Sequence, residues 1–270
     1  VFTIIKLKNK KKKKGDFVTN AQSLETENNK DFSTLKYKKI LLKISGEALM
    51  GQQGFGIDPA VIYNVVQEIK EAVDLGVSVA IVIGGGNIFR GLQQSTRFGM
   101  DQADADYVGM IATIMNSLVL QGIFKKQGIP SRVQTAIAMD KVAEPYIRLR
   151  AIRHMEKGRV VIFAGGTGNP FFTTDTTAAL RASEIGAELL LMAKNKIDGI
   201  YSDDPRTNSD AVLYKKLTYN EIIREDLKVM DTSAVSLCKN NNIPINVFNF
   251  DCPGSIKRIL LGESVGTFVG

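Results

Sequence analysis

The chain has 270 residues, 44% of them hydrophobic, with two cysteines, one histidine and a formal net charge of +7. The length suits one large core or two lobes on a shared sheet, and Cys238, Cys252 and His154 are too few and too scattered for a zinc site, a haem site or a histidine-based triad. The charge does not mark a nucleic-acid-binding face, because residues 1–38 carry ten lysines against Asp16, Glu25, Glu27 and Asp31 and leave the remainder nearly neutral.

Residues 1–36 show no sustained period of 2 or 3.6, and the lysine run at 10–14 repels itself. Such a segment cannot bury enough apolar surface to offset its ordering entropy, so it reads as a basic, disordered extension. No apolar run long enough to cross a membrane is expected. The cysteines read as reduced thiols of a cytoplasmic protein.

The pattern changes at residue 39. Residues 39–45 form a strand-like run ending at Gly46. Asp58 and Pro59 then mark a helix start, with apolar residues at helical spacing until Gly76. A buried strand is predicted over 77–83, followed by Gly84, Gly85, Gly86 and Asn87. A long helix over about 105–127 is stopped by Gly128. Then come a strand over 132–135, a helix over 145–156 and a strand over 159–164. A helix over 176–185 precedes a strand over 188–192. Residues 198–230 are irregular, and the chain closes with a helix over 234–239, a strand over 244–250 and a helix over 254–261. Near-continuous apolar strands alternating with helices specify an α/β protein with a mostly parallel sheet covered on both faces. Ligands of such sheets bind beyond the carboxyl ends of the strands. Glycine-rich segments follow three of the strands, after Ser45, Ile83 and Ala164, so they converge on one edge and point to a phosphate-rich ligand.

Glycine lets backbone N–H groups approach anionic oxygens, and Arg90 follows the second glycine cluster, where a guanidinium can clamp phosphate; Arg97 is a weaker candidate. Lys43 stands near the end of the first strand among apolar residues. It either snorkels there or sets a positive charge against transferring phosphate. The segment 165–175 offers backbone donors, the hydroxyls of Thr167, Thr173 and Thr174, and the rings of Phe171 and Phe172 as a stack or wall for a base. Thr174 or Asp175 also suits a helix N-cap. Asp104 and Asp106 suit either a helix cap or ribose hydroxyls. Tyr201 suits adenine and Asp204 a sugar hydroxyl, although Asp-Pro also simply starts turns. Neither a Walker A run nor a G-x-G-x-x-G opening is present, so phosphate chemistry needs another scaffold.

From about residue 37 to 270 the sequence resembles the bacterial uridylate kinases of the amino acid kinase superfamily. The strings that carry the likeness are Leu42-Lys-Ile-Ser-Gly-Glu-Ala-Leu49, Gly84-Gly-Gly-Asn-Ile-Phe-Arg-Gly91, Gly165-Gly-Thr-Gly-Asn-Pro-Phe-Phe-Thr-Thr-Asp175, Asp198-Gly-Ile-Tyr-Ser-Asp-Asp-Pro205 and Leu227-Lys-Val-Met-Asp231. The third singles out UMP as acceptor. The resemblance implies a three-layer αβα sandwich in a single domain over 37–270, with an acceptor side at about 37–185 and an ATP side at about 186–270. It implies phosphoryl transfer from ATP to UMP in pyrimidine nucleotide biosynthesis, with Mg²⁺ held mainly through phosphates and water.

By the same resemblance Lys43, Ile44, Ser45, Gly46, Gly86 and Arg90 hold the ATP phosphates, and Asn195, Tyr201 and Asp204 the nucleoside half. UMP falls to Gly85, Asp106, Thr167, Gly168, Asn169, Pro170, Phe171, Phe172, Thr173 and Thr174, with Asp104 as a second candidate for its ribose. Lys43, Arg90, Asp175 and Asp231 form the catalytic set, the two aspartates orienting Lys43 or water around Mg²⁺. The family is hexameric, activated by GTP and inhibited by UTP. The GTP response is linked to Gly51, Gln52, Gln53, Gly54, Phe55 and Gly56. A kinase of the same fold for a different acceptor, or a non-catalytic nucleotide sensor, is the alternative.

Overall fold

The computed structural model describes residues 35–90, 98–227 and 229–270. The lysine-rich segment as far as residue 34, and Arg97, lie outside the described residues. Leu35 already packs on the core, and the Lys36 N–H donates to the Leu260 carbonyl at 2.9 Å.

Among the described residues nine strands form one sheet: β1 (Lys39–Ile44), β2 (Ser78–Ile83), β3 (Ser131–Thr135), β4 (Glu144–Pro145), β5 (Val160–Ala164), β6 (Leu189–Lys194), β7 (Lys216–Leu217), β8 (Ile245–Asn249) and β9 (Thr267–Val269). Their order is β4-β3-β5-β2-β1-β6-β8-β9-β7. Every pairing is parallel except β8 with β9. The central strands are buried on both faces, as their continuous apolar sequence requires.

Helices cover both faces and complete the three layers. Over one face lie α1 (Pro59–Asp74), α2 (Gln102–Lys126) and α7 (Ser255–Leu260), packed on Leu42, Ile44, Ile81 and Leu191. Over the other lie α3 (Arg148–Glu156), α4 (Thr174–Ile185), α5 (Tyr219–Arg224) and α6 (Thr232–Asn240), packed on Leu41, Val82, Leu190 and Met192. This is the predicted αβα sandwich.

Asp58 caps α1 by accepting from Ala60 N, with Pro59 at the first helical position, as the sequence indicates. Elsewhere the boundaries move. Asp101, not Asp104 or Asp106, caps α2, so both later aspartates lie inside the helix. Thr173, not Thr174 or Asp175, caps α4. Pro145 belongs to β4 rather than to a helix, because Tyr146 N continues the ladder to Thr135 O and α3 starts at Arg148. By length and composition α2 is apolar enough to cross a membrane, contrary to the sequence expectation. Its buried Asn116 and Ser117 interrupt the apolar run, and the residues around them cover the sheet.

Candidate active site

The connection leaving β1 leads to β2 on one side, and the one leaving β6 leads in the opposite direction, to β7 at the far edge beyond β8 and β9. That divergence opens a crevice at the carboxyl ends of two neighbouring strands. Lys43 sits on its floor, buried, at the end of β1. Its Nζ lies 2.7 Å from Asp175 Oδ1, in the first turn of α4. At that distance the two form a close, charge-assisted ion pair. Lys43 is thus an oriented cation at the crevice and not a strand-end lysine reaching for solvent.

The glycine turns after β1 and β2 pack on one another. A Cβ on Gly46 would sit 2.6 Å from Gly84 O and 2.7 Å from Gly86 N. Only glycine allows this contact, which leaves a cradle of bare backbone beside Lys43. Behind it, Asn87 and Asn116 are fully buried and bonded to each other at 2.7 and 3.0 Å. Asn116 also donates to Gly84 O, and Asn87 to Gly56 O. The pair therefore ties α2, the β2 turn and the 51–56 loop together. Asn116 carries no local signal in the sequence, since it stands mid-helix.

On one side of Lys43 opens a cavity of about 260 Å³. Gly85, Gly86, Arg90, Asp106, Asn169, Phe172, Thr173 and Thr174 of the predicted set line it. Thr167, Gly168, Pro170 and Phe171 do not; they form the loop behind. That loop is anchored from below, because Gly165 N donates to Thr113 Oγ1 at 2.9 Å and Gly168 packs on Ala136. Asp106 accepts from Phe171 N at 2.7 Å and from Gln102 at 2.7 Å, and so holds Phe171 at a φ of 69°. The buried Arg181 stacks 3.7 Å from the Tyr146 ring centre and pairs with Glu184 at 2.7 Å. Arg90 rests on Glu47 at 3.1 Å, partly exposed at the cavity mouth.

On the other side lies a cavity of about 450 Å³, lined by Lys194, Gly199, Tyr201, Asp204 and Leu227 among others. Burial and the neighbouring Asp198 raise the Tyr201 hydroxyl above its usual range. Asp204 is engaged by Arg206 through a two-pronged contact at 2.9 and 2.7 Å, which holds its carboxyl at about 2. Asn195 is not on the wall; it donates to Asp251 at 3.2 Å. Lys194, which sequence reasoning missed, ends β6 and donates to Val229 O at 2.6 Å. Its signal was the same as for Lys43, a lysine closing an apolar strand, but the strand ends two residues later than predicted.

Asp231 couples the two sides. It caps α6 through Ala234 N and accepts from the hydroxyls of Thr173 and Thr176 at the head of α4. The arrangement is two cavities flanking a lysine–aspartate pair, the smaller reaching Thr174 beside Asp175 and the larger reaching Lys194, which feels the charges of both Asp175 and Lys43. That geometry can hold two anionic ligands with their charged ends facing.

The model of the amino acid kinase family matches residues 38–249. The chain is similar to the crystal structure of UMP kinase from Bacillus anthracis, with 46% identity over 87% of this chain and 96% of that one, at a TM-score of 0.85. It is similar to UMP kinase from Ureaplasma parvum at 38% identity and a TM-score of 0.82, over 87% of this chain and all of that one. Uridylate kinase from Archaeoglobus fulgidus aligns at 28% identity and a TM-score of 0.65, over 86% and 100% of the two chains.

Proposed function

Because the chain belongs to the amino acid kinase family, and within it to the UMP kinases, we propose that it transfers the γ-phosphoryl group of ATP to a phosphate oxygen of UMP, giving ADP and UDP. The observation that carries this reading is the Lys43–Asp175 ion pair at the carboxyl end of β1, with one cavity reaching Thr174 beside Asp175 and the other reaching Lys194 at the end of the neighbouring β6. The smaller, on the 85–110 and 166–177 side, is the UMP site, and the larger is the nucleoside site of ATP. Residues 37–185 then supply the acceptor side and 186–270 the donor side of one domain.

A UMP phosphate oxygen attacks the γ-phosphorus in line, and the bond to the ADP oxygen breaks, with no covalent enzyme intermediate. Such a nucleophile is already anionic and needs no strong general base. The protein's task is to place the groups and neutralise their charge. Lys43, held by Asp175, meets the transferring group. The 44–46 turn and Gly86 supply backbone donors for the donor phosphates. Arg90 leaves Glu47 and clamps phosphate in two-pronged fashion. Asp106 takes the ribose of UMP, and Phe172 walls the base. Tyr201 and Asp204, with Asn195 near the end of β6, serve the adenosine half. When bound, Mg²⁺ neutralises phosphate charge, and the carboxylates of Asp175 and Asp231 suit the water around it.

The assembly belongs to the same reading. Tyr107, Ile111, Met115 and Val119 are exposed on α2 at intervals of four, one apolar stripe along one helix face. The exposure of that stripe supports self-association, through its burial against a second copy, towards a homohexamer. GTP activation acts through the 51–56 loop, whose Phe55 is exposed and whose Gly56 is bonded to Asn87, and UTP is the inhibitor. The enzyme works in the cytoplasm in pyrimidine nucleotide synthesis.

Phosphorus NMR of the purified protein with ATP, Mg²⁺ and UMP tests the reaction. ADP and UDP appearing in equal amounts is expected. Release of free phosphate without UDP would refute it.

A further inference from the structure

Lys194 has so far no role. In the register of β1 with β6, Lys43 lies opposite Met192. Side chains alternate along a strand, so Lys194 points to the same sheet face as Lys43. That is the face under α4, whose first turn carries Asp175. The two lysines thus close the two strands between which the crevice opens. Lys43 lies on the crevice floor, and Lys194 lies on the wall of the larger cavity. Among the described residues its one hydrogen bond is to Val229 O. An ammonium has three N–H donors, so two remain to be offered.

We infer that Lys194 is a second phosphate-binding cation of the transfer site, meeting the donor's phosphate oxygens from the side opposite Lys43; the inference rests on the kinase reading above. Its setting supports this. Burial lowers its pKa, Asp175 raises it and Lys43 lowers it again. A buried ammonium beside a second ammonium is unfavourable with Asp175 as the shared carboxylate. An entering polyphosphate supplies the missing negative charge, so the unfavourable pairing becomes a bound-state contact.

Three full-length variants separate charge from mere propping of the Val229 carbonyl. Lys194→Arg keeps the charge, Lys194→Gln keeps a donor without charge, and Lys194→Met keeps only the stem. ATP affinity by calorimetry, which needs no turnover, is read beside steady-state rates and thermal unfolding. Gln and Met are expected to lower kcat/KM for ATP by roughly 100-fold, to weaken ATP binding, and to leave KM for UMP nearly unchanged. Arg is expected to recover most of the loss. Wild-type ATP binding and rate in the Gln variant would overturn the inference, whatever the melting temperature. Failure of the wild type itself to phosphorylate UMP strikes the kinase reading instead, and the calorimetric comparison still decides whether Lys194 binds phosphate.

Discussion

Lys43 and Asp175 are 2.7 Å apart in a nearly closed setting. Lys43→Met retains the stem that packs among the β1 residues and removes only the charge. The rate constant for transfer should fall roughly 100-fold or more. A variant within about threefold of the wild-type rate would show that charge at this position is dispensable, since each tenfold is about 1.4 kcal/mol of barrier. Asp106 offers a second test. Its carboxylate already holds Phe171 N and Gln102, so Asp106→Ala removes a loop anchor and the proposed ribose acceptor together. KM for UMP should rise by on the order of tenfold, the worth of about one charged hydrogen bond, while KM for ATP stays put. An equal rise in both would refute the assignment. At this scale the sequence was informative where a residue is out of character for its neighbourhood. A lysine in an apolar strand and glycines after strands were readable. Asn116 and Thr113 were not, because a polar residue in mid-helix does not say which way it faces.

Among the elements, the helix caps and the buried pair between α2 and the β2 turn set the geometry. Asn116 is fully buried and satisfies Gly84 O and Asn87 together. Asn116→Leu leaves Gly84 O and the Asn87 amide oxygen buried and unpaired, at a cost of about 2–3 kcal/mol. Thermal denaturation checks the stability, and a melting temperature equal to wild type would show the network to be incidental. Long elements were legible from period alone, as β1, β2, β5, α1 and α2 were. The three short strands β4, β7 and β9 were not, since two or three residues carry no period and pair only because a longer neighbour presents an edge. The same limit hid α5. The caps of α2 and α4 were misplaced because runs of Asp and Thr offer several residues of equal capping chemistry, and only the turn geometry selects Asp101 and Thr173.

For the molecule as a whole, the sheet order places two connections on opposite sides of β1 and β6, and this alone locates the crevice. The sequence predicted the parallel sheet and the edge on which the glycine turns gather, but not the strand order, because order is set by contacts distant in the chain. The two thiols report on the core independently. Cys238 is buried and its thiol is pushed up to about 12 by burial and by Asp231, whereas Cys252 is exposed. Ellman's reagent should therefore titrate one thiol in the native protein and two after unfolding; two fast thiols in the native state would contradict the packing of α6. The apolar stripe on α2 predicts that Ile111→Asp with Met115→Asp lowers the mass seen by light scattering while the fold persists. An unchanged mass would contradict the stripe as the proposed subunit contact. The most direct test of the central claim is ADP release from ATP across an acceptor panel of UMP, CMP, dTMP, AMP and small carboxylates. Rapid turnover with UMP alone is the predicted result, and turnover with a different acceptor, or with none, would contradict the account.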